Sequence, residues 1–373
     1  MTDARPGAER LLRLAQGYLA SAILRAGLEL GVFDVLGQGP AGADAIAASV
    51  GADLRGTRIL LDALVTARLV NREGTGRGEA EEPGLGADGK SRLGDRGEPT
   101  YSLAPIAEAH LVKGHRGYVG EVIHAYANDT LWDALGRLPD AVREGGTVLA
   151  QHAETPGHVY WGQLASSILG SAGPEPQALV QAIAGWTGGR ETIDVLDVAC
   201  GNGAYGYAVA RHHAGARVWS LDYPEVLDVA RSNAVRAGLE DRARFIPGDA
   251  FEAVLGGPYD LVVISHLLHH FSPERAGELV ARMAAVLEPD GRLVIHDYVA
   301  TGADPTLDPA PHLFSAILLA WTRQGQVHSL DTYRQMLAVS GLSDVVAHDV
   351  EGLPTKLLVA SRAESGGGQV VDR

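Results

Sequence analysis

The stretch Leu196-Asp197-Val198-Ala199-Cys200-Gly201-Asn202-Gly203-Ala204-Tyr205-Gly206 ends one apolar run and opens another segment of different rhythm. Residues 192–199 read as a strand and 204–212 as a helix, so the glycines fall on the turn between them. Glycine lets the backbone pass close to a ligand, and the following helix presents its N-terminus at the same place. Residues 201–206 satisfy the G-x-G-x-x-G spacing, and Asp222 closes the next strand about 20 residues on, where a carboxylate accepts ribose hydroxyls. By itself this pattern fits a nicotinamide dinucleotide, S-adenosylmethionine or an ordinary tight turn.

Working outward, strands at 217–222, 243–249, 259–268 and 291–299 alternate with helices at 224–237 and 273–286. Near-continuous apolar strands separated by helices predict a parallel sheet covered on both faces. After a helix at 330–339, the strands 344–350 and 355–362 are too close for a helical crossover and should pair antiparallel at the sheet edge. Upstream, helices at 11–35, 43–50 and 53–70 precede strands at 69–73 and 100–103, a winged-helix layout. Between those strands, residues 74–99 carry eight glycines and ten charged residues, which predicts a mobile loop. Helical segments at 118–138 and 159–172 are rich in aromatic residues and His, and Gly173-Pro174-Glu175-Pro176 breaks the chain before a helix at 177–186.

The expected fold class is therefore α/β: a mostly parallel, seven-stranded Rossmann-like sheet with an N-terminal helical winged-helix domain. The expected divisions are a dimerisation domain at 1–117, a helical linker and substrate-pocket segment at 118–175, a ligand-binding α/β domain at 176–363 and a disordered tail at 364–373. At 373 residues, with 46% hydrophobic and 21% charged residues, the chain has an ordinary globular composition. Its 46 acidic against 31 basic side chains leave a formal charge of −15, which opposes a broad nucleic-acid or anionic-membrane surface. The single cysteine, Cys200, excludes an internal disulfide framework. Charged residues interrupt the first 16 positions, and no run reaches the ~20 apolar residues of a membrane span, so a cytoplasmic protein is expected.

Two further acids separate the ligand alternatives. Asp197 faces the site from the strand before the turn, where an anionic pyrophosphate would suffer and a cationic sulfonium with an amino-acid tail would gain. Gly248-Asp249-Ala250-Phe251 closes the third strand with an acid beside an aromatic ring, which can hydrogen-bond an adenine amine and flank its ring. On Leu196–Gly203, Leu221-Asp222-Tyr223-Pro224, Gly248–Phe251 and Asp260–Glu274, the chain resembles the class I S-adenosylmethionine-dependent methyltransferases. Within them it is most similar to the caffeate-type and antibiotic-pathway O-methyltransferases with an N-terminal winged-helix dimerisation domain.

That resemblance implies a homodimer and a methyl-donor site built from Asp197, Gly201, Asn202, Gly203, Asp222, Tyr223, Gly248, Asp249, Ala250, Phe251 and Ser265. Ala199 replaces the first glycine of the family's loop, a change expected to disturb a backbone-lined site little. The family's His-Asp-Trp signature, whose His takes the proton of a substrate hydroxyl, reads His269-His270-Phe271 here. Ser265 stands where plant members often have a lysine, and His296-Asp297 where they often carry a Glu that steers the His. The expected catalytic set is accordingly His269 as general base, His270 and Asp297, acting on a small-molecule acceptor in secondary metabolism, with His266 an interior histidine. The second reading is a metal ion held by His269, His270 and His328, assisting C-methylation of an α-keto acid. A nicotinamide-dependent oxidoreductase and a ligand-sensing DNA reader are the remaining alternatives, and neither nucleic acid nor membrane is an expected partner.

Overall fold

The computed structural model describes residues 5–74, 98–115, 117–167, 173–302 and 304–362. The chain divides into two compact units, Met1–Asn128 and Asp129–Arg373. Residues 118–128 thus fall in the first unit and 129–175 in the second. Most of the glycine-rich loop and the C-terminal tail lie outside the described residues.

In the first unit the helices are α1 (Arg5–Ala15), α2 (Gly17–Glu29), α3 (Val32–Leu36), α4 (Ala43–Val50) and α5 (Leu54–Thr66), with the short strand β1 (Ala41–Gly42) before α4. Asp53 caps α5 by accepting from the Gly56 N–H at 2.9 Å, the usual use of an Asp ahead of an apolar periodic run. Strands β2 (Val70–Glu73) and β3 (Thr100–Leu103) pair antiparallel, Val70 opposite Leu103, and β1 adds to the other side of β3. Val32, Phe33, Ile46, Leu61, Leu64 and Tyr101 fill the core beneath them. Helices α6 (Pro105–His110) and α7 (Gly120–Tyr126) complete the unit, and Ile123 of α7 packs on that same core. By contrast, Leu11, Leu12, Leu14 and Tyr18 form an exposed apolar stripe on α1 and the start of α2.

The second unit begins with α8 (Asp129–Gly136), α9 (Leu138–Glu144), α10 (Val159–Ser167) and α11 (Pro174–Thr187). The helix expected at 118–138 is therefore broken at residues 127–128, into α7 and α8. The α/β part follows as β4 (Ile193–Val198), α12 (Ala204–His212), β5 (Ala216–Asp222), α13 (Pro224–Arg236), β6 (Ala243–Pro247), β7 (Tyr259–Ser265), α14 (Pro273–Ala285) and β8 (Leu287–Tyr298). Helices α15 (Pro309–Trp321) and α16 (Leu330–Val339) and strands β9 (Asp344–Asp349) and β10 (Thr355–Ser361) end it.

The seven-stranded sheet has the order β6-β5-β4-β7-β8-β10-β9. All pairs from β6 to β8 are parallel, whereas β10 runs antiparallel to both β8 and β9. The last strand is thus inserted between β8 and β9, which leaves β9 at the edge. Alternate residues of β4 serve opposite cores: Leu196 and Val198 join the cluster with α14 and α16, and Val195 joins the one with α11 and α12. This two-faced burial explains why the strands read as unbroken apolar runs. Strand order reverses between β4 and its neighbours β5 and β7, and in such sheets the crevice for ligands opens at the carboxyl ends of the strands at that switch.

Candidate active site

A cavity of about 550 Å³ opens at those carboxyl ends. Gly201, Asn202, Asp222, Tyr223, Gly248, Asp249, Ala250, Phe251, Ser265 and His270 line it, whereas Asp197, Gly203, His269 and Asp297 stand behind the lining. The turn after β4 needs its glycines for two separate reasons. Gly203 has φ +80°, and a Cβ there would lie 2.2 Å from the Tyr207 ring. Gly206 sits so close to β5 that a Cβ would approach Val218 Cγ1 to 2.5 Å. Asn202 Oδ1 accepts from the Ala204 N–H at 3.0 Å and holds the start of α12. Ala199 is less innocuous than its size suggests. Its φ of +51° is left-handed, a region that costs an L-residue roughly 1–2 kcal/mol and that glycine enters freely.

Three acids converge at this end. Asp222 accepts from the Gly201 N–H at 2.9 Å and from the Tyr223 N–H at 2.8 Å. Burial pushes its carboxyl up to about 6, although both N–H groups pull the other way. Asp197 accepts from the Gly206 N–H through Oδ2 at 2.9 Å, and its Oδ1 is buried with no hydrogen-bond partner among the described residues. Burial, opposed by that N–H and aided by the neighbouring Asp222, raises it to about 7. Asp249 accepts from Tyr223 Oη at 2.9 Å and from the Phe251 N–H at 2.7 Å, which shapes the loop after β6. Arg275 lies 3.7 Å over the Phe251 ring, and Phe271 meets that ring edge-on at 5.0 Å. Two acids with raised proton affinity, buried Asp197 and half-buried Asp222, and an orphaned carboxylate oxygen form a site short of positive charge. S-adenosylmethionine, with a sulfonium, an ammonium, ribose hydroxyls and an adenine ring, fits that deficit and the flanking aromatic loop.

The other end is built from the tips of β7 and β8. His269 lies on the 3-10 turn Leu268–His270, and its Nδ1 hydrogen-bonds Asp297 Oδ1. Asp297 also accepts from the Tyr298 N–H at 2.8 Å and from Tyr333 Oη at 3.1 Å. Burial alone would raise the Asp297 carboxyl, but the facing His269, the nearby His266 and the Tyr298 N–H hold it well below the usual carboxylate range. His270 differs from its neighbour, because its Nδ1–H donates to the Leu267 carbonyl at 3.2 Å and burial lowers its imidazole to about 3. A neutral ring so reluctant to take a proton is a poor general base at pH 7. The rings of His269 and His270 are 4.3 Å apart.

His266 is not an interior histidine on the strand. β7 stops at Ser265, and His266 takes φ +49° and lines the cavity. Burial lowers it to about 4. The metal set His269, His270 and His328 is also not assembled. Neither His270 nor His328 belongs to a group of converging ligand atoms among the described residues. Among the described residues the group that offers clustered ligand atoms is His266, His269 and Asp297, within 4.8 Å of one another. There both Asp297 oxygens already accept protein hydrogen bonds.

Several further lining residues fall in 118–175, the segment expected to form the substrate pocket, whereas Arg323 and the role of Tyr205 have no counterpart in the sequence reading. Trp161, Leu164 and Ala165 of α10, with Ala153, Glu154 and Arg323, supply the wall away from the acids. Trp161 meets the His270 ring at 5.2 Å and Trp321 at 5.2 Å. Tyr205 Oη lies 2.6 Å from His296 Nδ1 and ties α12 to β8. No spacing signal marks Arg323 or the Tyr205–His296 contact, because each arises only through tertiary packing.

A methyltransferase-domain family matches residues 195–291, and an O-methyltransferase dimerisation-domain family matches 12–113. The chain is 30% identical over 377 residues to acetylserotonin O-methyltransferase of Mus musculus, covering 96% of this chain and 89% of that protein. It is 25% identical to the tetracenomycin polyketide synthesis 8-O-methyl transferase of Streptomyces glaucescens, over 92% of this chain and 94% of that one. Human N-acetylserotonin methyltransferase, solved in complex with S-adenosylmethionine, has the same fold, with a TM-score of 0.77 at 22% identity over 95% of this chain and 97% of that one. These likenesses lend no support to the oxidoreductase, DNA-reader or keto-acid alternatives. In sequence and in fold, the chain belongs to the S-adenosylmethionine-dependent O-methyltransferases that carry a dimerisation domain.

Proposed function

We propose that this enzyme methylates a hydroxyl of an aromatic small molecule in secondary metabolism, with His269 as the general base. The observation that carries the reading is the buried His269–Asp297 pair directly behind the His266 and His270 lining of a cavity whose other end carries Asp222 and Asp249. Bound S-adenosylmethionine supplies an already activated methyl group. Asp197, Asp222, Asp249 and Phe251 orient that donor, and Trp161, Leu164 and His270 form an apolar and aromatic wall for the acceptor. Holding donor carbon and acceptor oxygen in line is worth up to ~7–11 kcal/mol, more than proton removal supplies. His269 takes the hydroxyl proton, and Asp297 fixes its Nδ1–H tautomer so that Nε2 is the basic nitrogen.

Relatives named for acetylserotonin, tetracenomycin and mitomycin support an acceptor of that general kind. The exposed stripe Leu11, Leu12, Leu14 and Tyr18, inside the dimerisation-domain match, supports a homodimer formed through the first unit, which we read as a winged-helix module. No helix among the described residues is long and apolar enough to cross a membrane, in keeping with a cytoplasmic enzyme. Incubation with methyl-labelled donor and a panel of phenols, N-acetylserotonin included, alongside amines and α-keto acids tests the reading. Label in an aryl methyl ether is the expected outcome, and label confined to carbon or nitrogen would contradict it.

A further inference from the structure

We infer that His328 and Tyr333 form a clamp that positions the His269–Asp297 pair from behind, with Tyr333 setting the orientation of the carboxylate. The inference rests on the base reading above and adds two residues to it. The clamp is anchored to β8 just past Asp297: the Ala300 N–H donates to the His328 carbonyl at 3.0 Å and the Leu330 N–H to the Ala300 carbonyl at 3.2 Å. Ser329 then caps α16 by accepting from the Thr332 N–H at 3.0 Å, and the Tyr333 N–H donates to the Ser329 carbonyl at 3.0 Å. This fixes Tyr333 in the first turn of α16. Its ring is fully buried, and His328 meets it edge-on at 5.5 Å.

The two side chains reach the two halves of the pair separately. His328 donates to the carbonyl of Leu268, the residue before His269, while Tyr333 Oη donates to Asp297 Oδ2. A carboxylate with only Oδ1 engaged can rotate about its Cβ–Cγ bond. With Tyr333 on Oδ2 and both His269 and the Tyr298 N–H on Oδ1, rotation breaks at least two hydrogen bonds at once. Burial and the adjacent Asp297 hold the Tyr333 phenol far above its ordinary range, so it stays a donor. Neither residue lines the cavity, and each reaches only the pair or the residue beside it, His328 through the Leu268 carbonyl and Tyr333 through Asp297, so both are positioning residues.

Tyr333→Phe removes the Oη and keeps the ring. The test uses full-length protein with 15N-labelled histidine, saturated with S-adenosylhomocysteine. Wild type should show a deshielded, slowly exchanging imidazole N–H that disappears in His269→Ala. In Tyr333→Phe that proton should shift toward ordinary imidazole values and exchange about tenfold or more faster, since a hydrogen bond to a charged group is typically worth that factor. Affinity for S-adenosylhomocysteine should stay within about twofold, which a general loosening of the fold would not allow. His328→Gln, which leaves Asp297 fully bonded, should move the same signal less and serves if the phenylalanine variant does not fold. An unchanged proton position and exchange rate in both variants overturns the clamp. A proton that is missing in wild type, or that survives His269→Ala, contradicts instead the pairing on which the clamp depends.

Discussion

The two ends of the cavity are made in opposite ways. At the donor end, Asp222 ends β5 and Gly201, Asp249 and Phe251 sit on turns just after strands, and the acids are held mainly by backbone N–H groups one or two residues away or on the adjacent turn. At the base end, His269 depends on Asp297, 28 positions later, and Asp297 on Tyr333, another 36. The first is a local backbone device and the second a tertiary network of side chains. The two should therefore fail differently: damage to the donor end should weaken binding, and damage to the base end should slow turnover with binding intact.

The largest expected effect is at the base end. His269→Ala should lose roughly 10²–10⁴ in turnover, the usual range for a general base. Rates with an acceptor found by the phenol panel would measure it, and a loss under tenfold would place the proton transfer elsewhere.

Next in size is Asp222→Ala. It removes a half-buried carboxylate that holds the Gly201 and Tyr223 N–H groups and lines the cavity. Donor affinity should fall by about 10- to 100-fold, as expected for a lost hydrogen bond to a charged group. Calorimetric titration with S-adenosylhomocysteine checks this, and an unchanged dissociation constant would remove Asp222 from the site.

A smaller effect follows from pH. The Asp197 and Asp222 carboxyls, raised from 3.8 to about 7 and about 6, bind more protons in the folded than in the unfolded chain between about pH 4 and 7. Their contribution to the stability of the ligand-free protein therefore falls as pH rises through that window. A cationic donor favours the ionised acids, so S-adenosylmethionine should bind more tightly at pH 8 than at pH 5.5 and release protons on binding. Titrations in buffers of different ionisation enthalpy would detect the release, and tighter binding at the lower pH would reverse the assignment.

The smallest effect expected is a gain. Ala199→Gly relieves the left-handed backbone but adds chain entropy, for a net stabilisation of about 0.5–1 kcal/mol. Thermal unfolding should move up slightly, and a clear destabilisation would mean that the Ala199 methyl packs usefully.

The same contrast accounts for what the sequence disclosed. Strand-end acids and glycine spacing are short-range, so the donor end and the parallel sheet could be read from residues 192–299. The left-handed turns at Ala199 and His266 could not, because nothing in an Ala or His side chain announces a positive φ. His266 therefore read as a strand residue, whereas it lines the cavity. The clamp at His328 and Tyr333 and the wall residue Arg323 come from segments whose approach depends on the packing of α15 and α16, whereas Trp161 falls in the segment expected to form the pocket. Helical periodicity places Tyr333 on a buried face but cannot say that a carboxylate waits there. The insertion of β10 between β8 and β9 was similarly hidden, since the short link between the last two strands fixes only their mutual antiparallel pairing.

The division of labour between the two ends is tested most directly by one pair of quantities. The donor dissociation constant and the single-turnover rate at saturating donor should be measured together for wild type, His269→Ala and Asp222→Ala. His269→Ala should keep wild-type donor affinity within about threefold while its rate collapses, and Asp222→Ala should recover most of the wild-type rate once saturated. If His269→Ala loses affinity in proportion to rate, or Asp222→Ala stays slow at saturation, the two ends work as a single unit and the proposed division of labour fails.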